Sequence, residues 1–432
     1  MPDQSEKPFV NELEDMVSLY RSPLHSYYRT GLSEAYVSPA DPVFRRLGAF
    51  LNSKVWKWIG AYLKNLFRGR HEFLDYTKSA ADQGVYQLQA TGGAAVTVGM
   101  AGDWGTGTPE AYTVTEHMNR LEPHFTIHLG DIYYVGDELS VRENFLGVDD
   151  PQTPYRPVTW RLGTLGSFAL NGNHEMYAKG HAYFNEVLPN LGVRKVGEAK
   201  LSGQQASFFC LKNTDWRILA LDTGYNSTSF FFPSCRLEDA LINWLSDPVK
   251  LADPGDRCGI VILTHHQYFS AFEAKYGRPA KQLATFINRP VLWFWGHEHR
   301  LALYGMCKVG NGIEAFGRCV GHGGMPIKLE TPKDKEVNKY RLAVYDKRPY
   351  AKIGDTAVGR NGFVNLSFEG PKLTVQYYCL KKEMADGRES LASEKVLEEK
   401  WTVENGRLRG AGIELINKDL SVTSLGLEAA QL

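Results

Sequence analysis

Two aspartates, an asparagine, a tyrosine pair and a set of histidines recur in five short motifs along this 432-residue chain. In order they are Gly102-Asp103-Trp104-Gly105, Gly130-Asp131-Ile132-Tyr133-Tyr134, Gly172-Asn173-His174-Glu175, Thr264-His265-His266 and Gly296-His297-Glu298-His299. Carboxylate, amide, phenol and imidazole donors in this mixture suit borderline transition metals. A pair of such ions can clamp the attacking and leaving oxygens of a phosphoryl transfer. Taken singly the motifs are weak, because an Asp between an apolar run and a glycine is often only a turn former. All five in order, each behind an apolar run, point to chemistry.

Donors so far apart in sequence need elements to bring them together. Apolar runs over 95–101, 125–129, 167–170, 216–221, 259–263 and 291–295 each end at a Gly, Asp, Asn or Thr. Short β-branched and aromatic runs bounded this way read as buried strands. Residues 109–122 and 236–246 read as crossover helices between them. The alternation predicts an α/β layered domain. Nearly every polar motif then falls just past the C-terminal end of a strand, where open α/β sheets place their ligands. After Arg300 the chain turns β-rich, and 363–368 with 373–378 flank a short turn as a hairpin. Residues 383–400 read as a surface helix or linker. The expected organisation is an N-terminal helical extension over 1–92, a catalytic domain over 93–380 and a charged C-terminal extension over 381–432.

Lys plus Arg and Asp plus Glu each number 49, so the formal charge is zero. That argues against bulk nucleic-acid binding, which needs a net basic surface. The start, Met1-Pro2-Asp3-Gln4-Ser5-Glu6, lacks a basic region followed by an apolar core, and no apolar run has the length of a membrane span. Six scattered cysteines without a C-x-x-C pair predict reduced thiols and a cytoplasmic protein. Residues 43–70 carry apolar side chains at helical spacing. Their polar face is basic, with Arg45, Arg46, Lys54, Lys57, Lys64, Arg68 and Arg70, no acid, and Trp56 and Trp58 beside it. Such a helix either docks its apolar face on the main domain or makes peripheral contact with an anionic membrane.

The motif set resembles the calcineurin-like metallophosphoesterase superfamily, in its purple acid phosphatase-like variant. Asp103 has no His two residues later, and Tyr134 stands three residues after Asp131, where that subgroup uses a phenolate ligand. The resemblance covers about Val96 to Tyr378 and implies an α/β/β/α four-layer sandwich with the N-terminal helical extension added. It implies one ion on Asp103, Asp131, Tyr134 and His299, and a second on Asp131, Asn173, His265 and His297. Asp131 would bridge them. Iron with manganese, zinc or a second iron follows if Tyr134 binds; two manganese or zinc ions follow if it does not. The implied reaction is hydrolysis of a small phosphomonoester by metal-bound hydroxide. Asp131 and His174 stand at the reacting centre, His174 as general acid, with Glu175 orienting it and His266 supporting the ligands. One departure concerns substrate. The subgroup places a further His about nine residues after the His265 position, and here Ser270-Ala271-Phe272-Glu273-Ala274 occupies that stretch. His322, in a glycine-rich turn, is the candidate to replace it, and the segment after Glu175, with Tyr177, Lys179 and His181, is a candidate rim for substrate. His117, His124 and His128 read as structural. A phosphodiesterase for cyclic nucleotides or phospholipid headgroups, and a non-catalytic scaffold of the same fold, are the alternative functions.

Overall fold

The computed structural model describes residues 60–77, 83–148, 158–228, 234–353, 356–385 and 388–432. The first strands are β1 (Val85–Gln87), β2 (Val96–Ala101), β3 (Phe125–His128), β4 (Gly166–Ala169), β5 (Gly192–Val193), β6 (Phe209–Lys212) and β7 (Trp216–Ala220). Next come β8 (Gly259–Thr264), β9 (Val291–Trp295), β10 (Leu301–Cys307), β11 (Ala315–Val320), β12 (Leu342–Tyr345), β13 (Ala351–Ile353) and β14 (Thr356–Val358). The last are β15 (Gly362–Glu369), β16 (Lys372–Ala385), β17 (Arg388–Glu404), β18 (Arg407–Leu415) and β19 (Ser421–Val422). The helices are α1 (residues 60–66), α2 (Pro109–Asn119), α3 (Glu138–Asn144), α4 (Asn173–Tyr177), α5 (Asp239–Ser246), α6 (Gly277–Leu283) and α7 (Asp334–Tyr340).

Two large sheets result. One has nine strands in the order β1-β6-β7-β8-β9-β11-β10-β12-β19, the other eight in the order β18-β17-β16-β15-β2-β3-β4-β5. Within them β7, β8, β9 and β11 run parallel, and so do β2, β3 and β4. The strands β3, β4, β7, β8 and β9 are buried at every position. Strands covered on both faces take mostly apolar residues, which is why they read as apolar runs, with Thr126, His128, Ser167 and Arg217 among the buried exceptions.

The layers follow from what each face buries. Val98, Ile127 and Phe168 of one sheet pack against Ile218, Val261 and Leu292 of the other. Leu241, Trp244, Ala280 and Leu283 from α5 and α6 cover Leu219, Ile262 and Trp293 on the outside of the nine-stranded sheet. Ala111, Val114 and Met118 from α2 and Val141 from α3 cover Ala101 and Ala169 on the outside of the other. The molecule is thus the four-layer α/β/β/α sandwich expected. Helix α2 starts where Thr108 Oγ1 accepts from Ala111 N, with Pro109 at its first position.

The flanks differ from expectation. Residues 383–400, read as helix or linker, fall instead in the end of β16 and in β17 (Arg388–Glu404), which pair with each other. Charges at 394, 395, 398, 399 and 400 imitate a helix face. In fact Leu397, Glu399 and Trp401 alternate inward and are fully buried, and the inward glutamate hides the two-residue period. The expected boundary at 380 falls inside β16, and the one at 92 in a short turn between β1 and β2, strands of the two different sheets. β1 pairs with β6, and β16 to β18 extend the sheet that β2 belongs to. Of the basic helix over 43–70, residues 43–59 lie outside the described residues, and α1 is its far end. All six cysteines are free thiols. No helix among the described residues is long and apolar enough to cross a membrane.

Candidate metal centre

The ends of five parallel strands deliver the donors. Asp103 follows β2, Asp131 follows β3, Asn173 follows β4, His265 follows β8, and His297 and His299 follow β9. The backbone turns sharply there: Asp103, Asp131 and His297 have φ of 57°, 72° and 64°. Non-glycine residues in the left-handed region carry a conformational cost and concentrate at functional sites. Gly172 is required by close approach, since a Cβ there would collide with the Asp131 carboxylate. The two histidines of the last motif do both face the centre, but not through an extended segment. His297 N instead donates to Asp103 Oδ2 at 2.8 Å.

Distances sort these side chains into two groups that meet at Asp131. In the first, Tyr133 Oη lies 3.0 Å from Asp103 Oδ1, 2.9 Å from His299 Nε2 and 3.3 Å from Asp131 Oδ2. In the second, Asn173 Oδ1 lies 3.0 Å from both His265 Nε2 and His297 Nδ1. The other Asp131 oxygen, Oδ1, lies 3.2 Å from His265 Nε2. The phenol among these donors is therefore Tyr133, one residue before the tyrosine chosen by motif spacing. Tyr134 instead gives its backbone carbonyl to His174 Nδ1 and its ring to the wall around that imidazole. The chain turns sharply at Asp131 and through 133–135, so no simple spacing rule singled out Tyr133.

The groups fit cations. His265 Nδ1 donates to the Leu129 carbonyl at 2.9 Å, so Nε2 presents a lone pair in the neutral ring. That lone pair faces an amide oxygen and a carboxylate oxygen, a set of electron-pair donors that only a proton or a metal ion can reconcile. Without a metal the proton does so. Burial alone would lower the His265 pKa, but Asp131 raises it to about 10. Burial likewise pushes Asp103 well above the usual carboxylate range. It opposes ionisation of Asp131 too, yet His265 and His174 hold that group well below the range. Tyr133 is held well above a normal phenol by burial, then by Asp103 and Asp131. A strongly charged ion is what would make it anionic.

Around the donors sit residues that fix them. Asn173 Nδ2 donates to Tyr177 Oη at 2.9 Å, which turns Oδ1 toward the histidines. Glu175 Oε2 accepts from Asp131 N at 3.2 Å and Gly172 N at 2.9 Å, tying two motif loops together. His174 N donates to Asp131 Oδ1 at 3.1 Å, and its Nε2 lies 3.8 Å from Asp131 Oδ2. Its ring is walled by Tyr133, Tyr134 and Tyr177. His266 Nδ1 lies 3.2 Å from Thr223 Oγ1, and its ring packs 4.6 Å from that of His297.

The substrate candidates are not brought together. His322 is fully buried, its ring against Gly362, and burial lowers its pKa to about 4. It is packed inside the fold rather than offered to a ligand. His181 Nε2 accepts no role at the donors; it lies 2.8 Å from the Gly69 carbonyl and ties the N-terminal segment down. Ser270, in the stretch lacking the extra histidine, donates to Glu298 Oε2 at 2.6 Å. Sequence reasoning missed Tyr276, whose buried ring stands 5.1 Å from His266 and 6.0 Å from His297. His117, His124 and His128 are placed away from the donors, the first on Ser393 Oγ, the second on Thr97 and the third in an aromatic box.

No curated protein sequence matches this chain. Among solved structures, PhoD aligns with TM-score 0.48 and 11% identity, over 78% of this chain and 75% of its own. GAP50, the anchor in the inner membrane complex of Plasmodium, aligns with TM-score 0.42 and 13% identity, over 72% and 90%. The purple acid phosphatase PPD1 from yellow lupin (Lupinus luteus) seeds aligns with TM-score 0.36 and 14% identity, over 71% and 54%. The family model for calcineurin-like phosphoesterases matches residues 96–301, the stretch from β2 to the start of β10 that carries all five motifs. Over this stretch the chain is similar to calcineurin-like phosphoesterases.

Proposed function

We propose that the chain hydrolyses phosphomonoesters with two metal ions. Asp103, Asp131, Tyr133 and His299 would hold one, and Asp131, Asn173, His265 and His297 the other. The observation that carries this reading is the Asp131 carboxylate, with one oxygen turned to each donor group. A pair of bound cations lowers the pKa of water and offsets charge on the phosphoryl oxygens. A phenolate at Tyr133 favours iron as one of them, with manganese, zinc or iron as the other.

The chain's own residues supply the rest. His174 Nδ1 donates to the Tyr134 carbonyl, which leaves Nε2 as the nitrogen facing Asp131. That nitrogen is the general acid that delivers a proton to the leaving oxygen. The three tyrosine rings hold the imidazole in place and keep bulk water from it. Tyr177 sets the Asn173 amide so that a neutral oxygen faces the second ion, which leaves that ion more electrophilic than a carboxylate would.

The test compares p-nitrophenyl phosphate with bis-p-nitrophenyl phosphate on metal-loaded protein. Asp131→Ala should lose bound metal and monoester turnover together. His174→Asn should keep its metal and lose turnover by about 10²–10⁴-fold. Faster diester turnover would move the reading to a phosphodiesterase. Metal content and turnover indifferent to Asp131→Ala would remove the metal mechanism.

A further inference from the structure

Helix α1 has two unlike faces. Ala61 and Tyr62 pack on the cluster of Tyr133, Tyr134, Tyr177 and Met325 beside the donors, the Tyr62 ring 6.2 Å from that of Tyr177. Asn65 is buried and donates to the Ala61 carbonyl at 2.9 Å. The opposite side is apolar and exposed: Leu63 is 57% exposed, Leu66 38% and Phe67, just past the helix, 92%. Spacing of three and four residues places Leu63, Leu66 and Phe67 in one stripe. Lys64 is exposed beside them.

Packing on the domain therefore explains one side of this helix and leaves the stripe unexplained. A single exposed leucine is ordinary, but an exposed apolar stripe ending in a phenylalanine is not. Charge indicates what covers it. Residues 43–70 hold seven basic side chains and no acid, in a chain whose formal charge is zero. Two of the seven fasten the segment. Arg68 pairs with Glu138 at 3.1 Å, and Arg70 lies over the Tyr225 ring and donates to Asn226 Oδ1 at 3.3 Å. Exposed apolar side chains set in a basic, acid-free run suit the headgroup boundary of an anionic bilayer.

We propose that the Leu63, Leu66 and Phe67 face of α1 docks on an anionic lipid bilayer. Because the other face of the helix rests on the tyrosines around the donors, docking holds the metal centre at the lipid surface. Access to phosphate esters carried by lipid headgroups is the part that rests on the phosphoesterase reading.

The full chain is sedimented with phosphatidylcholine vesicles, with and without phosphatidylserine. Wild type should pellet with the anionic vesicles only and be released by high salt. Leu63→Asp combined with Phe67→Asp should weaken pelleting by about tenfold or more, while p-nitrophenyl phosphate turnover without vesicles stays at the wild-type level. Lys64→Glu, at an exposed position, should weaken pelleting in the same direction. Wild type left in the supernatant with anionic vesicles, or charge variants that pellet unchanged, would overturn the proposal. Self-association on a sizing column that the double variant abolishes, without vesicle binding, would assign the face to a second copy and overturn it too. Loss of turnover in wild type strikes only the phosphatase reading, since sedimentation is read without substrate.

Discussion

Tyr133 and Tyr134 are adjacent, and the chemistry at the centre separates them. Tyr133 Oη stands within 3.3 Å of both carboxylates and at 2.9 Å from His299 Nε2. Its neighbour contributes a carbonyl to His174. Removing the Tyr133 hydroxyl should lower turnover by about 10–100-fold, the usual scale for a lost ligand or a group that orients one. If an iron–phenolate absorption band is present in wild type, Tyr133→Phe abolishes it and Tyr134→Phe keeps it. The reverse pattern in the visible spectrum would return the ligand to Tyr134. Family spacing points to Tyr134, whereas the distances to Asp103, Asp131 and His299 favour Tyr133. Asp103, Asp131, Asn173, His265, His297 and His299 were legible because each lies just past a mostly apolar run. The roles of Tyr177, Tyr276 and the Leu129 carbonyl depend on contacts between elements, and no local pattern announces those.

At the scale of elements, the two sheets are joined by a buried ion pair the sequence did not advertise. Arg318 on β11 and Glu399 on β17 are both fully buried and meet in a two-pronged pair at 2.8 and 2.7 Å. The remaining guanidinium donors reach the carbonyls of Tyr304, Gly317 and Ala430. Tyr377 Oη donates to the same carboxylate at 2.6 Å. Glu399→Ala leaves a charged guanidinium in the core and should cost about 3–5 kcal/mol. Replacing Arg318 by Met and Glu399 by Leu together should recover most of that loss. Urea unfolding of the three proteins measures it, and a double variant no more stable than Glu399→Ala would show that the surrounding carbonyls and Tyr377, not the charges, set the cost. The same pair explains why β17 was read as a helix. The strands at the metal centre were legible because they are mostly apolar and carry no acid or base of formal charge. β17 carries a charge on its inward face, satisfied only by a residue on the other sheet 81 positions away.

Across the whole molecule, buried ionisable groups make stability depend on pH in opposing directions. His128 is fully buried among Trp104, Phe145 and Trp160, and burial lowers its pKa to about 3. Asp131 pulls that value up and His265 pulls it down, both less than burial does. An unfolded histidine titrates near about 6.5, so below that pH the unfolded chain takes a proton that the folded one refuses. The contribution is present above about 6.5 and is lost as pH falls toward about 3. Buried acids act the other way. Burial raises Glu298 to about 8 and Asp222 to about 6, the latter against hydrogen bonds from Ser207, Tyr225 N and Asn171. Their protonated forms favour the fold below the unfolded carboxylate pKa, and that advantage is lost as pH rises through the folded values. The wild-type curve is therefore a sum whose terms partly cancel, and a difference between two proteins isolates one of them. His128→Phe keeps an aromatic ring in the box and removes the titration. Relative to wild type, the variant should gain about 1.4 kcal/mol for each pH unit from about 6.5 down to about 3. The gain is read from urea unfolding of both proteins in the same metal-containing buffers. A difference that stays flat over that range would mean that His128 takes up its proton in the folded state, inside a box with three aromatic faces and no carboxylate.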